Sequence, residues 1–126
     1  MKKVIETTEA PAPIGPYNQA ILVDKTLYAS GQIALDPKTM ELVNEDIQAE
    51  TTQVMKNLSA VLKAAGMDFT NVVKATIYLA DMGDFALVNK VYGGYFNDDD
   101  APARETVQVA QLPKNVRVEI SVIAIL

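Results

Sequence analysis

The stretch A-P-A-R-E-T-V-Q-V-A-Q-L-P-K-N-V-R-V-E-I, residues 101–120, sets charged side chains into what reads as a buried sheet. Residues Arg104 to Val109 and Val116 to Val122 alternate between polar and apolar, the mark of strands with one buried face. Between them lie Pro113 and Asn115, which are turn residues, so the spacing predicts a hairpin. The register that sets Val109 opposite Val116 and Val107 opposite Val118 pairs apolar with apolar, and a slip by one residue would set valines against charges. On the other face that register aligns Arg104, Thr106 and Gln108 with Ser121, Glu119 and Arg117. Arg104 and Glu119 then become diagonal neighbours roughly 7 Å apart, a gap that admits a small molecule. Two readings stay open. An arginine fork suits a carboxylate ligand, with the glutamate beside it holding a water. The plainer reading, which spacing alone favours, is that Arg104 pairs with Glu119 or with adjacent Glu105, as charges on strands commonly do.

Working outward, Lys3 to Thr7 reads as a first strand, followed by A-P-A-P-I-G-P-Y at 10–17, a stiff loop that either connects or presents Tyr17 as a wall. Gln19 to Val23 and Thr26 to Ile33 predict a hairpin around Asp24-Lys25. Within its second strand, Gly31 signals a bulge or a close approach of the backbone to something else, a ligand or another subunit. Apolar residues from Ile47 to Ala65 recur at three and four positions, a helix from about Asp46 stopped by Gly66. Asn71 to Ala80 is a strand with Val73, Ala75, Ile77 and Leu79 on one side. A second helix is expected from an Asp84 N-cap to Phe96, burying Phe85, Val88, Val91, Tyr92 and Tyr95. Asp98 to Asp100 reads as a solvated loop, without the spaced oxygen ligands of a calcium site.

This order predicts one α+β domain over residues 1–126, a mixed six-stranded sheet with two helices on one face. The other face, and the apolar end S-V-I-A-I-L at 121–126, need cover, which favours a homo-oligomer.

Composition narrows the chemistry. The 126 residues include no cysteine and no histidine, which removes thiolate nucleophiles, disulfides, the commonest metal ligands and the usual near-neutral proton shuttle. Any acid/base work then falls to carboxylates, tyrosines, lysines, backbone groups or water. A net charge of -5 argues against a nucleic-acid surface. The start M-K-K-V-I-E-T-T-E turns polar at once, so neither a signal peptide nor a membrane span is expected there, and a cytoplasmic location is the default. Nucleotide-binding glycine loops, a nucleophile elbow and zinc motifs are all missing.

Several stretches in the right order carry a resemblance: P-A-P-I-G-P-Y-N-Q-A at 11–20, Y-A-S-G-Q-I at 28–33, K-A-A-G at 63–66, V-V-K-A-T-I-Y-L at 72–79, F-A-L-V-N-K-V-Y at 85–92, and the 101–120 segment itself. Together they resemble the RidA family, also called YjgF, over nearly the whole chain. The resemblance implies a chorismate-mutase-like fold of the bacillus type, a homotrimer with a central barrel and outward helices, and three sites in clefts between subunits. It implies hydrolysis of 2-iminobutanoate and 2-iminopropanoate, with their enamine tautomers, to 2-oxo acids and ammonia, which protects pyridoxal-phosphate enzymes and needs no cofactor or metal. By position, Arg104 would clamp the substrate carboxylate and Glu119 would orient or activate the attacking water. Tyr17, Ser30, Gly31 and Asn89 would line the cleft, Gly31 through its backbone. Thr106 stands at a binding position where many members carry cysteine, and Glu105 is larger and more acidic than the residue frequent there. Strand alternation sends Glu105 to the face opposite Arg104. The alternative function is a non-catalytic regulator that binds a 2-oxo acid in the same clefts. RNA cleavage, also attached to this family, is disfavoured by the acidic balance.

Overall fold

The computed structural model spans residues 1–126 and contains eight principal elements: β1 (Lys2–Ile5), β2 (Ala20–Val23), β3 (Thr26–Gln32), α1 (Ile47–Ala64), β4 (Val72–Leu79), α2 (Phe85–Gly93), β5 (Ala103–Gln108) and β6 (Val118–Ile125). The strands form one six-stranded sheet in the order β1-β2-β3-β6-β4-β5, antiparallel throughout except for β4 and β5, which run parallel.

The expected hairpin between β5 and β6 does not form. β6 inserts between β3 and β4, while β5 pairs only with β4, Ala75 lying beside Arg104 and Leu79 beside Gln108. The connection through α2 makes this possible, since parallel neighbours need a long crossover and a helix supplies it. The turn residues at 110–115 carry the chain across the end of β4 instead: Val109 donates its N–H to the Leu79 carbonyl and Ala80 donates to that of Arg117. Lys114 and Asn115 both sit at φ 55 there, a left-handed pair that bends the chain away from a hairpin path.

Helix α1 starts where expected. The Asp46 side chain accepts the Ala49 N–H at 2.8 Å. It ends in a Schellman pair, Met67 N–H to the Leu62 carbonyl and Gly66 N–H to that of Lys63, with Gly66 at φ 73 supplying the left-handed turn. Helix α2 is shorter than the sequence pattern suggests, and Asp84 makes no capping bond; Asp81 instead accepts the Gly83 N–H in the preceding 3-10 turn. In β4, Val73 is exposed and Val72 is buried, because a bulge between Val72 and Lys74 shifts the alternation by one.

Both helices lie on one face. Leu27, Ala75, Ile77, Leu79, Val118, Ile120 and Ala124 are essentially inaccessible beneath Val54, Leu58, Val61 and Leu62 of α1 and Val88 of α2. The opposite face is bare in the single chain, with Tyr28 51 %, Val107 41 % and Ile125 44 % exposed. Buried polar side chains tie the loops to this frame. Asn57 donates to the carbonyls of Ile33 and Leu35 at 3.1 and 2.9 Å. Glu50, 1 % exposed, accepts from the backbone N–H and the Nε of Arg117 at 2.8 and 2.7 Å, which pins the entry of β6 to the first turn of α1.

Candidate functional site

The charged residues singled out in the 101–120 segment fall into two places. Arg104 follows Ala75 in register, so its side chain lies on the helix-covered side, at the sheet edge where α2 passes. Its Nη1 donates to Asn89 Oδ1 at 2.7 Å, and its guanidinium carbon lies 5.0 Å from the Tyr92 ring centre and 5.7 Å from that of Phe85. No carboxylate pairs with it; the two ion pairs of the chain are Lys74–Glu105 and Arg117–Glu50. Thr106, two residues on and on the same side, has its hydroxyl buried without a hydrogen-bond partner.

Glu105 points to the bare face, as strand alternation requires. There it accepts from Thr76 Oγ1 at 2.8 Å and meets Lys74 Nζ at 3.0 Å. The Thr76 hydrogen bond first, and Lys74 second, hold its carboxyl below the usual glutamate range. Competition by Glu105 for Arg104 is therefore absent.

Glu119 also lies on the bare face, between the buried Val118 and Ile120 of β6. It sits in a cavity of about 440 Å³ whose walls include Tyr17, Ser30, Gly31 and Pro113. Partial burial, with no countercharge, raises its carboxyl above the usual glutamate range. The bulge expected at Gly31 is present between Ala29 and Gln32, and the close approach there is to Glu119: a Cβ on Gly31 would overlap the Glu119 carboxylate. The proline-rich loop is held rigidly by Gln19, which is 2 % exposed. Its amide accepts from Thr7 N–H at 2.7 Å and donates to the carbonyls of Thr7, Ala10 and Pro11 at 3.0, 3.2 and 2.8 Å. Ser30 Oγ donates to the Asn18 carbonyl at 2.6 Å, tying the same loop to the bulge.

The diagonal Arg104–Glu119 contact expected from the hairpin is thus overturned. The two residues lie on opposite faces, two strands apart in the β6-β4-β5 order and three residues apart along it, Arg104 beside Ala75 and Glu119 beside Tyr78. Strand spacing and rise put their backbones about 14 Å apart. One half holds an unpaired cation with Asn89 and Thr106; the other holds a partly buried acid with Tyr17, Ser30 and Gly31. The sequence pattern passed over Gln19, which fastens the loop; it placed Phe85 and Tyr92 among the core residues, as the 5 % exposure of Tyr92 bears out, but not against Arg104. The signal for the latter was their spacing around Asn89, which sets all three on one face of α2. No three acidic side chains converge closely enough to cage a metal ion.

A family model described as endoribonuclease L-PSP matches residues 7–126. The chain belongs to this family, the RidA family. Among the RidA relatives, the mouse 2-iminobutanoate/2-iminopropanoate deaminase is 54 % identical over 125 residues, covering 99 % of this chain and 90 % of the mouse protein. The human protein of the same name is 52 % identical over 125 residues, with 99 % and 90 % covered. Escherichia coli TdcF, solved with bound serine, superposes with a TM-score of 0.92 at 40 % identity, covering 98 % of each chain. The mixed sheet and two helices match the RidA fold.

Proposed function

We propose that the protein is a deaminase that hydrolyses reactive 2-imino acids, 2-iminobutanoate and 2-iminopropanoate among them, to 2-oxo acids and ammonia. The observation that carries this reading is Arg104, a guanidinium fixed on one side by Asn89 and matched to no carboxylate of its own chain. The names of the mouse and human relatives point to the substrate class. Serine bound to TdcF supports a site that receives small carboxylates.

In this reading Arg104 takes the substrate carboxylate with its free N–H groups, and a fork is better suited to that than a lysine. The imino nitrogen enters protonated, so C2 is already electrophilic and neither metal nor cofactor is needed. Glu119, as carboxylate, accepts a proton from water as the oxygen attacks C2. Protonated Glu119 then returns that proton to the carbinolamine nitrogen, the C–N bond breaks as the hydroxyl oxygen forms the carbonyl and gives its own proton to Glu119, and ammonia, which takes up that proton, leaves with the 2-oxo acid. A base whose pKa is raised toward the working pH is stronger than an ordinary glutamate. Tyr17, Ser30 and the Gly31 backbone shape the wall on the Glu119 side, and Asn89 and Thr106 the wall on the Arg104 side.

Arg104 and Glu119 face opposite ways in one chain, so the complete cleft forms between two chains. Arg104 of one subunit meets Glu119 of the next in a homotrimer whose bare sheet faces close on each other as a central barrel. Tyr28, Val107 and Ile125 on that face supply apolar surface to bury. The cellular role that follows is protection of pyridoxal-phosphate enzymes in the cytoplasm.

The test generates 2-iminobutanoate with a threonine dehydratase and follows its capture by semicarbazide. Wild-type protein should suppress capture and Arg104→Ala should not. Ligand protection of the fold by 2-oxobutanoate with no suppression would instead make the protein a binding regulator.

A further inference from the structure

One stripe of α2 meets Arg104 with three side chains. Phe85, Asn89 and Tyr92 follow one another by four and three residues and so share a helix face. Asn89 fixes one guanidinium nitrogen through a single hydrogen bond of 2.7 Å, which fixes a point and leaves the plane of the fork free to swivel. The guanidinium carbon lies over both aromatic rings, 5.0 Å from the centre of Tyr92 and 5.7 Å from that of Phe85.

Tyr92 is the more tightly held of the two. It is 5 % exposed, and its ring lies 4.8 Å from that of Phe96, centre to centre. Its hydroxyl is buried with no hydrogen-bond partner. Burial first, against a smaller downward pull from Arg104, raises its pKa above the ordinary phenol range, so the phenol stays neutral. An orphaned hydroxyl contributes nothing favourable through its oxygen. What the side chain offers Arg104 is its aromatic face, whose negative quadrupole attracts a cation.

We propose that Tyr92 is a positioning residue for Arg104: its ring, with Phe85 as a second wall, holds the guanidinium plane so that the free edge of the fork faces the cleft. This rests on Arg104 being the carboxylate clamp. The aromatic face, not the hydroxyl, is the working part, so Phe serves at position 92 and an aliphatic residue does not.

The chain has two arginines, Arg104 and Arg117, so a proton–nitrogen correlation spectrum resolves both side chains. The Arg117 signal, with Nε held by Glu50 at 2.7 Å, reports on the fold independently. Arg104→Ala assigns the other. In wild type and Tyr92→Phe the Arg104 N–H signals should lie upfield, shifted by the ring face; in Tyr92→Leu they should return to free-arginine positions while Arg117 stays in place. In the same samples the Kd for 2-oxobutanoate and the KM for the imino acid should rise about ten-fold in Tyr92→Leu, with kcat little changed and Tyr92→Phe restoring most of the loss. Phe85→Leu should move both readouts the same way by a smaller amount, and it decides the matter if Tyr92→Leu loses the Arg117 signal and so fails to fold. An unmoved Arg104 signal in a folded variant, or a Kd within about two-fold of wild type, overturns the proposal. Should the wild type bind 2-oxobutanoate but hydrolyse no imine, the deaminase reading fails while the spectra and Kd values still decide the role of Tyr92.

Discussion

The two ends of the 101–120 segment are built on opposite principles. Arg104 is surrounded before any ligand arrives: an amide takes one nitrogen and two rings lie under its guanidinium carbon. Glu119 has Gly31 close against its carboxylate and otherwise faces a cavity of about 440 Å³ with no cation in its wall. The cation is held without a countercharge and the acid is kept partly dry without one. The sheet stands between the two, so under the proposed mechanism each would take its complement from another chain.

Each half can be broken separately, and the largest effect is expected at the clamp. Arg104→Ala should lower kcat/KM for 2-iminobutanoate by about 10³, in the range for truncating one side of a desolvated charge pair, and Arg104→Lys should recover only part of it. Steady-state rates with and without semicarbazide measure this directly. On the acid side, Glu119→Gln keeps the shape and removes the base. Its loss should be about 10²-fold and should fall on kcat more than on KM, the reverse of a carboxylate-binding defect. Near-normal kcat in that variant would reduce Glu119 to a wall residue.

Gly31→Ala touches only the Glu119 half. Its methyl would collide with the Glu119 carboxylate, so Glu119 must swing away, at a cost of about 1–3 kcal/mol in stability or, if the carboxylate moves freely, a loss of activity with little change in Tm. Arg104 and its 2-oxobutanoate contact should be unaffected in the isolated half. A smaller effect concerns pH. Glu119 has a raised folded-state pKa, so its charged form opposes folding. Its contribution to stability is fully present below the unfolded-state pKa and is lost as pH rises through the folded one. In chains kept apart, where no neighbour's Arg104 reaches the acid, Glu119→Gln should therefore melt above wild type at neutral pH, and the two curves should converge below about pH 4, the ordinary glutamate range. Melting curves that stay parallel across that range would remove burial as the cause of the shift.

Much of this was legible in the chain. The spacing from Ile47 to Ala65 placed α1 within a residue of its observed ends, and a lone glycine in Y-A-S-G-Q-I announced the bulge that makes room for Glu119. Arg104 and Glu119 stood out as charges on alternating strands. Their relation did not. Alternation states which residues of one strand share a face; it does not state which strand lies next door. Two alternating segments joined by Pro113 and Asn115 look alike whether they pair with each other or with a strand thirty residues earlier, and the crossover through α2 chose the latter. The bulge at Val73 was missed for a related reason, since a single inserted residue leaves the apolar count unchanged and only shifts its phase. Gln19 and the contact of the Tyr92 ring were missed because their partners, backbone carbonyls of a loop and a cation on the next strand, leave no mark in the periodicity of either element.

The measurement that bears most directly on the two-chain site is complementation. Arg104→Ala and Glu119→Gln chains, each nearly inactive alone, are unfolded, mixed in equal amounts and refolded together. With Arg104 and Glu119 drawn from neighbouring subunits of a closed ring, random assembly leaves both wild-type residues at roughly a quarter of the clefts, so the mixture should recover roughly a quarter of wild-type activity. A mixture no more active than the sum of its two components would mean that both residues act from one chain and would overturn the two-chain site.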